Sequence, residues 1–165
     1  MANYNDILKQ IQAAIADFNK SIPGIQTEML DNITEELKRL DLSGNKIKAT
    51  VANLKIVNSI KNKLQNLIIT DQYLDNVKQF VQAFTTISTL QNQYFLSIES
   101  SFKPRPLLQE IRNQAVSDTV NSLTENGIGA NIADNITGIL RTNITAGGSY
   151  KDLEKQLRDS LTDNQ

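Results

Sequence analysis

The chain has no cysteine, no histidine and no tryptophan, and only 7 glycines and 3 prolines among 165 residues. Without cysteine there is no disulfide framework. Without cysteine and histidine there is no zinc, haem or iron–sulfur ligation by those residues, and no Ser/His/Asp or Cys/His catalysis. An active site would have to be assembled from Asp, Glu, Lys, Tyr, Ser or Thr. Scarce glycine and proline, with aromatics at 5%, fit a sandwich or barrel poorly. No apolar run approaches the roughly 20 residues of a membrane-spanning helix. The first ten residues, MANYNDILKQ, carry neither a basic leader nor an apolar core, so export by a signal peptide is not expected. The charge balance of 17 basic against 18 acidic residues argues against binding nucleic acid or an anionic membrane through overall charge.

What the chain has in abundance is neutral amide and branched aliphatic side chains: 18 Asn, 13 Gln, 19 Ile and 18 Leu. The aliphatic residues recur at helical spacing throughout, and turn residues divide them. Ile7, Leu8, Ile11, Ile15 and Phe18 predict a helix over 5–21, capped by Asn3 or Asn5 and ended by Pro23-Gly24. A second is expected over 26–40. A third runs from Lys46 to Ile69 on the stripe Ile47, Val51, Leu54, Val57, Ile60, Leu64 and Leu67. Asp71 opens a fourth that reaches about Phe102. The third and fourth are expected to bury their stripes against each other as a long antiparallel hairpin, the alternative being one continuous rod.

Lys103-Pro104-Arg105-Pro106 is the clearest boundary, since a residue before proline is pushed towards extended geometry. Pro106 is suited to open a fifth helix. Asn126-Gly127-Ile128-Gly129 predicts a helix end followed by a flexible link. A sixth helix buries Ile132, Ile136, Ile139, Leu140 and Ile144 and ends at Gly147-Gly148. Ser149 and Asp152 read as a capping box for a seventh, with Leu153, Leu157 and Leu161 on its inner face. Thr162–Gln165 lack an apolar anchor, and a frayed end is expected. The fold class is therefore all-α: about seven helices in an elongated bundle that includes the long hairpin. The expected domains are 1–102, a helical bundle with the hairpin, and 103–165, a three-helix region.

The residue types that carry chemistry do not converge. Glu35 and Glu36 are adjacent, so on a helix they diverge by about 100°. Asp152, Glu154 and Asp159 alternate with Lys151, Lys155 and Arg158 on the outer face of a short helix, where Glu154 and Arg158 form a surface i,i+4 pair. The glycines of Asn126–Gly129 precede a helix but lack the strand and lysine of a phosphate loop. No enzyme activity, no cofactor and no metal are expected. Three Asn-Ile-Thr triplets, at Asn32, Asn135 and Asn143, match the glycosylation pattern but suit chance in so Asn-rich a chain.

Two surfaces remain as candidates for partner contact. Between Lys38 and Lys63 seven basic residues stand against Asp41 alone, and Lys48, Lys55 and Lys63 fall within about 80° of one helix circumference. They could meet nucleic acid or an acidic partner, or form a solvated face with no aromatic residue for base stacking. The second surface is the other apolar face of the hairpin, Ile56, Ile68, Phe80, Phe95 and Leu96. It is either a contact with another protein or a copy of this chain, or simply core.

Leu107–Leu161 resembles the minor head proteins of tailed bacteriophages, the Mu F-like head-morphogenesis family. The residues that carry the likeness are Ile111-Arg112-Asn113-Gln114-Ala115-Val116-Ser117-Asp118-Thr119-Val120 and Ile139-Leu140-Arg141-Thr142-Asn143-Ile144-Thr145-Ala146-Gly147-Gly148-Ser149-Tyr150-Lys151-Asp152-Leu153. The pattern is a helix closed by a Gly-Gly break and a Ser-led helix after it. The resemblance implies a structural virion protein, minor head or associated with the portal or capsid interior. Its partners would be portal or capsid proteins or copies of itself, with no membrane involved. It further implies that the chain is the helical part of a longer protein. The alternatives are a cytoplasmic helical adaptor or regulator, and a helical nucleic-acid-binding protein.

Overall fold

A computed structural model describes residues 3–162, apart from the side chains of Glu125 and Asn126. The fold is all-α in character, with six α-helices among the described residues, one π-helical turn and one two-residue β-hairpin. The chain forms two compact units, each built from two stretches. The first comprises 1–22 and 72–123, the second 23–71 and 124–165. Neither coincides with the 1–102 or 103–165 segment drawn from the sequence.

The expected first two helices are one: α1, Tyr4–Leu37, runs through Pro23. Asn3 and Asp6 cap it reciprocally, the Asn3 Oδ1 accepting from the Asp6 amide at 3.1 Å and the Asp6 Oδ2 from the Asn3 amide at 3.0 Å. Proline removes one helical N–H and crowds the preceding turn. Here it sits at an exposed position, and the apolar spacing continues past it through Ile25, Met29, Ile33 and Leu37, all buried. Packing of that face outweighs the local cost. Pro23 is also where α1 passes from one unit to the other.

In the second unit, α1 leads into β1 (Leu42–Ser43) and β2 (Lys46–Ile47), paired antiparallel with Leu42 opposite Ile47. The sequence reads as a plain turn here, and the third helix was expected to begin at Lys46. Gly44, at φ 59°, supplies the left-handed residue that closes so tight a hairpin. The third helix, α2, instead starts at Val51 and ends at Ile68, with the Thr50 side chain accepting from the Asn53 amide. Asn53 is fully buried. Its amide and carbonyl groups bond the Asp41 N–H and C=O and the Lys48 C=O at 2.8–2.9 Å. That one side chain fixes the hairpin to the helix start.

A π-helical turn, Glu125–Gly129, runs directly into α5, Ala130–Ala146, so the expected flexible link is a wound segment. A Cβ on Gly129 would come within 3.2 Å of the Ile69 side chain, which explains glycine at that approach. α5 ends in a left-handed Gly147, φ 63°, whose N–H bonds the Asn143 and Ile144 carbonyls, a helix-ending glycine motif. α6, Tyr150–Thr162, opens with the Ser149 Oγ accepting from the Asp152 amide at 3.1 Å. α2 and α6 both pack on α5. Their interior is Val57, Ile60, Leu64, Ile68, Ile136, Leu140, Ile144, Leu153, Leu157 and Leu161, each 5% exposed or less. Thr162 is the last helical residue described; the rest of the expected frayed end lies outside the described residues.

The first unit contains the N-terminal part of α1, then α3 (Asp71–Ile98) and α4 (Pro106–Leu123). Pro106 opens α4 as its fixed φ favours. Tyr73, near the start of α3, donates its hydroxyl to the Leu123 carbonyl at the end of α4, while Arg112 of α4 reaches Gln91 and Asn92 of α3. The two tie points run in opposite order, so α3 and α4 are antiparallel. The expected hairpin between the third and fourth helices is thereby corrected. α2 finds its packing partner in α5, and its buried face belongs to the second unit, whereas α3 from Gln72 onward belongs to the first. Among the described residues no helix is long and apolar enough to cross a membrane.

Candidate functional site

The first unit carries an open groove of about 490 Å³. Helical spacing places its walls: Ile11 and Ile15 one turn apart on α1, Phe80, Phe84 and Ile87 at intervals of four and three on α3, and Val116 on α4. Phe80 packs on Phe18 at a tilt, with ring centroids 4.9 Å apart, and meets Phe84 edge-on at 5.4 Å. Apolar burial then thins out. Ile15 is 48% exposed, Phe84 38% and Ile111 of α4 55%. α4 contributes no buried residue at all.

The polar side of the groove is made of amides and hydroxyls, with one ionisable group, Arg112. Its guanidinium donates to the Asn92 Oδ1 at 3.3 Å and the Gln91 Oε1 at 3.4 Å, both neutral acceptors. These residues can bind apolar side chains, pair with amides and accept an anionic group at Arg112. They offer no nucleophile beside a base. Among the described residues, no group of three or more Asp or Glu is placed to hold a metal ion.

The five apolar residues expected as contacts divide. Ile68 is 0% exposed and is core of the second unit, because the stripe of α2 includes it; its assignment as a contact is corrected. Ile56 is half-buried on α2. Phe80 is half-buried and lines the groove. Phe95 and Leu96 are 46% and 44% exposed, and being adjacent on α3 they face about 100° apart. Phe95 also packs on Phe102 and Tyr94.

The expected basic ridge is not formed. Lys48 precedes α2 and pairs with Asp41 at 2.9 Å, so it shares no helical face with the other two. Lys63 is on α2 but reaches the Glu36 carboxylate of α1 at 2.8 Å, and Arg39 takes the other oxygen of Glu36 at 2.8 Å. Lys38 pairs with Glu35. Hydrogen bonds from Lys63 and Arg39 hold the Glu36 carboxyl below its ordinary range. Lys55 is exposed on α2. Glu35, Glu36 and Asp41 pair with Lys38, Arg39, Lys48 and Lys63, four of the seven basic residues, so the stretch stays positive but does not present them as one free ridge. Asn143 of the third Asn-Ile-Thr triplet is buried and bonds the Ile139 carbonyl and Gln156.

Sequence reasoning did not single out Ile11, Ile15, Phe84, Ile87, Arg112 or Val116 as a shared surface. The signal was present in α3 as an apolar stripe with few charges, but helix stripes read as core until a partner for them is known. No family model, no curated protein and no solved structure matches this chain.

Proposed function

We propose that this protein is a non-enzymatic assembly component that acts through helix-mediated protein contacts. Its place is in the head of a tailed-phage virion, as a minor head, portal-associated or capsid-interior protein. One observation carries the contact reading. α1, α3 and α4 form a unit with a thin interior, and Leu8, Ile15, Phe84, Phe95, Ile98, Leu107, Leu108 and Ile111 all lie at least 37% exposed. Apolar surface of that kind, rimmed by amides, is suited to burial against another protein. The virion assignment is supported by the Gly147-Gly148 break and Ser149-led helix in which the chain resembles phage minor head proteins. With Lys48 and Lys63 paired to carboxylates, nothing favours the nucleic-acid reading.

Mass spectrometry of particles purified from cells producing the protein tests this. It is expected there together with portal and capsid proteins, and to stay with them through a density gradient. Its absence from particles, with recovery in a cytosolic complex, would replace the virion role by that of a cytoplasmic helical adaptor.

A further inference from the structure

The groove of the first unit has two chemically different ends. From Phe80 to Ile87 its walls are mainly apolar: Phe80, Phe84 and Ile87 of α3, faced by Ile11 and Ile15 of α1 and Val116 of α4. Ala14 and Ala83 also line it, both half-buried, and a larger side chain at either would take up part of the space. Thr85, Ser88 and Thr89 add neutral hydroxyls. Beyond Ile87 the lining turns to Gln91, Asn92 and Arg112. From Phe80 to Gln91 is about 17 Å of helix.

The polar end is unbalanced towards donors. A guanidinium has five N–H groups and no acceptor, so whatever bonds it must present oxygen. Arg112, half-buried, bonds the Asn92 Oδ1 at 3.3 Å and the Gln91 Oε1 at 3.4 Å. Each carboxamide thereby turns its acceptor to the guanidinium and keeps its NH2 group as a donor. Both bonds are long beside the 2.7–2.9 Å usual for a charge-assisted pair. Among the described residues no carboxylate forms an ion pair with Arg112, and from Gln79 to Ile98 α3 contains none. The cluster therefore holds one positive charge and spare donors at the end of an apolar trough. What complements it is one negative charge on paired oxygens, joined to an apolar body.

We propose that this groove binds an aliphatic monocarboxylate of the fatty-acid class, its chain along Phe84 and Ile87 and its carboxylate at Arg112. The two carboxylate oxygens match the planar fork of the guanidinium, and the NH2 groups of Gln91 and Asn92 are there to donate to them. Size favours a small amphiphile over a protein. The groove's volume of about 490 Å³ falls in the range of small-molecule sites, roughly 300–1,000 Å³, whereas a stable protein interface takes about 800 Å² from each partner. The site goes beyond the assembly reading and does not depend on it. Leu8, Phe95, Ile98, Leu107, Leu108 and Ile111 are exposed outside the groove's lining and remain for protein contacts.

Calorimetric titration of the whole chain with decanoate, kept below its micelle-forming concentration, is expected to show one saturable site. Octanoate and hexanoate should bind that site more weakly, by at least about twofold for each methylene removed, because the chain is buried. Decanol, with the same chain and no charge, should bind at least about tenfold more weakly than decanoate. Arg112→Gln should lower the affinity for decanoate by at least about tenfold and leave that for decanol unchanged. Ala83→Leu should weaken both ligands by filling the trough, and Ala14→Leu should do the same from α1. Helical circular dichroism of each variant should match that of the unmodified chain. Equal affinity for the acid and the alcohol, or full decanoate affinity in Arg112→Gln or in both leucine variants, would overturn the proposal. Uptake of several decanoates per chain would do so too, by showing adventitious, detergent-like binding. No decanoate binding, with loss of a portal or capsid complex in Phe84→Lys, would give the groove to a protein partner instead. These titrations read nothing about presence in particles, so the ligand site and the virion role fail separately.

Discussion

The two units draw on the same aliphatic and amide-rich sequence, yet they use it in opposite ways. Among the described residues, the buried hydrophobic set lies almost wholly in the second unit; only Ile7, Tyr73 and Val77 belong to the first. The exposed large hydrophobic residues are distributed the other way, and only Val51, Leu54 and Ile128 belong to the second. The second unit surrounds α5 with α2 and α6, so each apolar stripe meets another. The first unit has three helix stretches and leaves part of each stripe uncovered. A stripe at helical spacing thus marks a face that is to be buried, without saying whether this chain or another molecule buries it.

The sharpest way to break that comparison is to truncate matched residues. Leu157→Ala in the second unit removes a fully buried side chain and should cost about 2–5 kcal/mol in urea unfolding. Ile111→Ala, at 55% exposure in the first, should stay within about 0.5 kcal/mol for the monomer. Equal costs would mean that the first unit has a core as firm as the second. Asn53→Ala should cost about 1–3 kcal/mol, because it empties a fully buried site, takes the acceptor from the Asp41 N–H and removes one of the two donors from each of the Asp41 and Lys48 carbonyls. The hairpin amides should then exchange faster than those of α5. Gly147→Ala forces a side chain into left-handed backbone and should cost about 1–2 kcal/mol, readable as a lowered midpoint with an unchanged denaturant slope.

The smallest effect concerns acid. Glu36 has its carboxyl held below the ordinary value of 4.5 by Lys63 and Arg39. Its stabilising contribution is therefore present above that value and is lost as pH falls through the lower, folded-state one. For so solvent-accessible a set of pairs this amounts to about 1 kcal/mol or less. Glu36→Gln should flatten the stability profile below pH 4.5 while changing little at neutral pH. A profile with the same acid limb in both proteins would show that the cluster contributes nothing to the second unit's stability.

Much of the second unit was legible in the sequence. Leu153, Leu157 and Leu161 at intervals of four, Ser149 as cap and Gly147 as stop are local signals, and the structure uses each one. The misreadings came where packing at a distance decided the outcome. Pro23-Gly24 is a strong stop, but the apolar face on both sides of it held α1 together. Lys46 and Ile47 fit the helical period of α2, yet Gly44 and the buried Asn53 turn them into a strand. The pairing of α2 with α5 joins residues on opposite sides of the whole α3–α4 excursion, which no local spacing reveals. The groove was harder still, since its residues are apolar side chains that look like core in any one helix.

The hairpin has one further consequence, for the order in which the chain matures. The Ile47 amide bonds the Gly148 carbonyl at 2.9 Å and the Tyr150 amide bonds the Asn45 carbonyl at 3.0 Å, joining positions about a hundred residues apart. Contacts so distant must wait for the loop between them to close. During synthesis, the inner faces of Val57, Ile60 and Leu64 therefore stay unburied until α5 and α6 have left the ribosome. By then Gln72–Leu123 has already emerged, so α3 and α4 can pair while the better-packed unit is still open. The unit with the thinner interior is thus the one whose segments are all synthesised first, and the second unit can close only once α5 and α6 have been made.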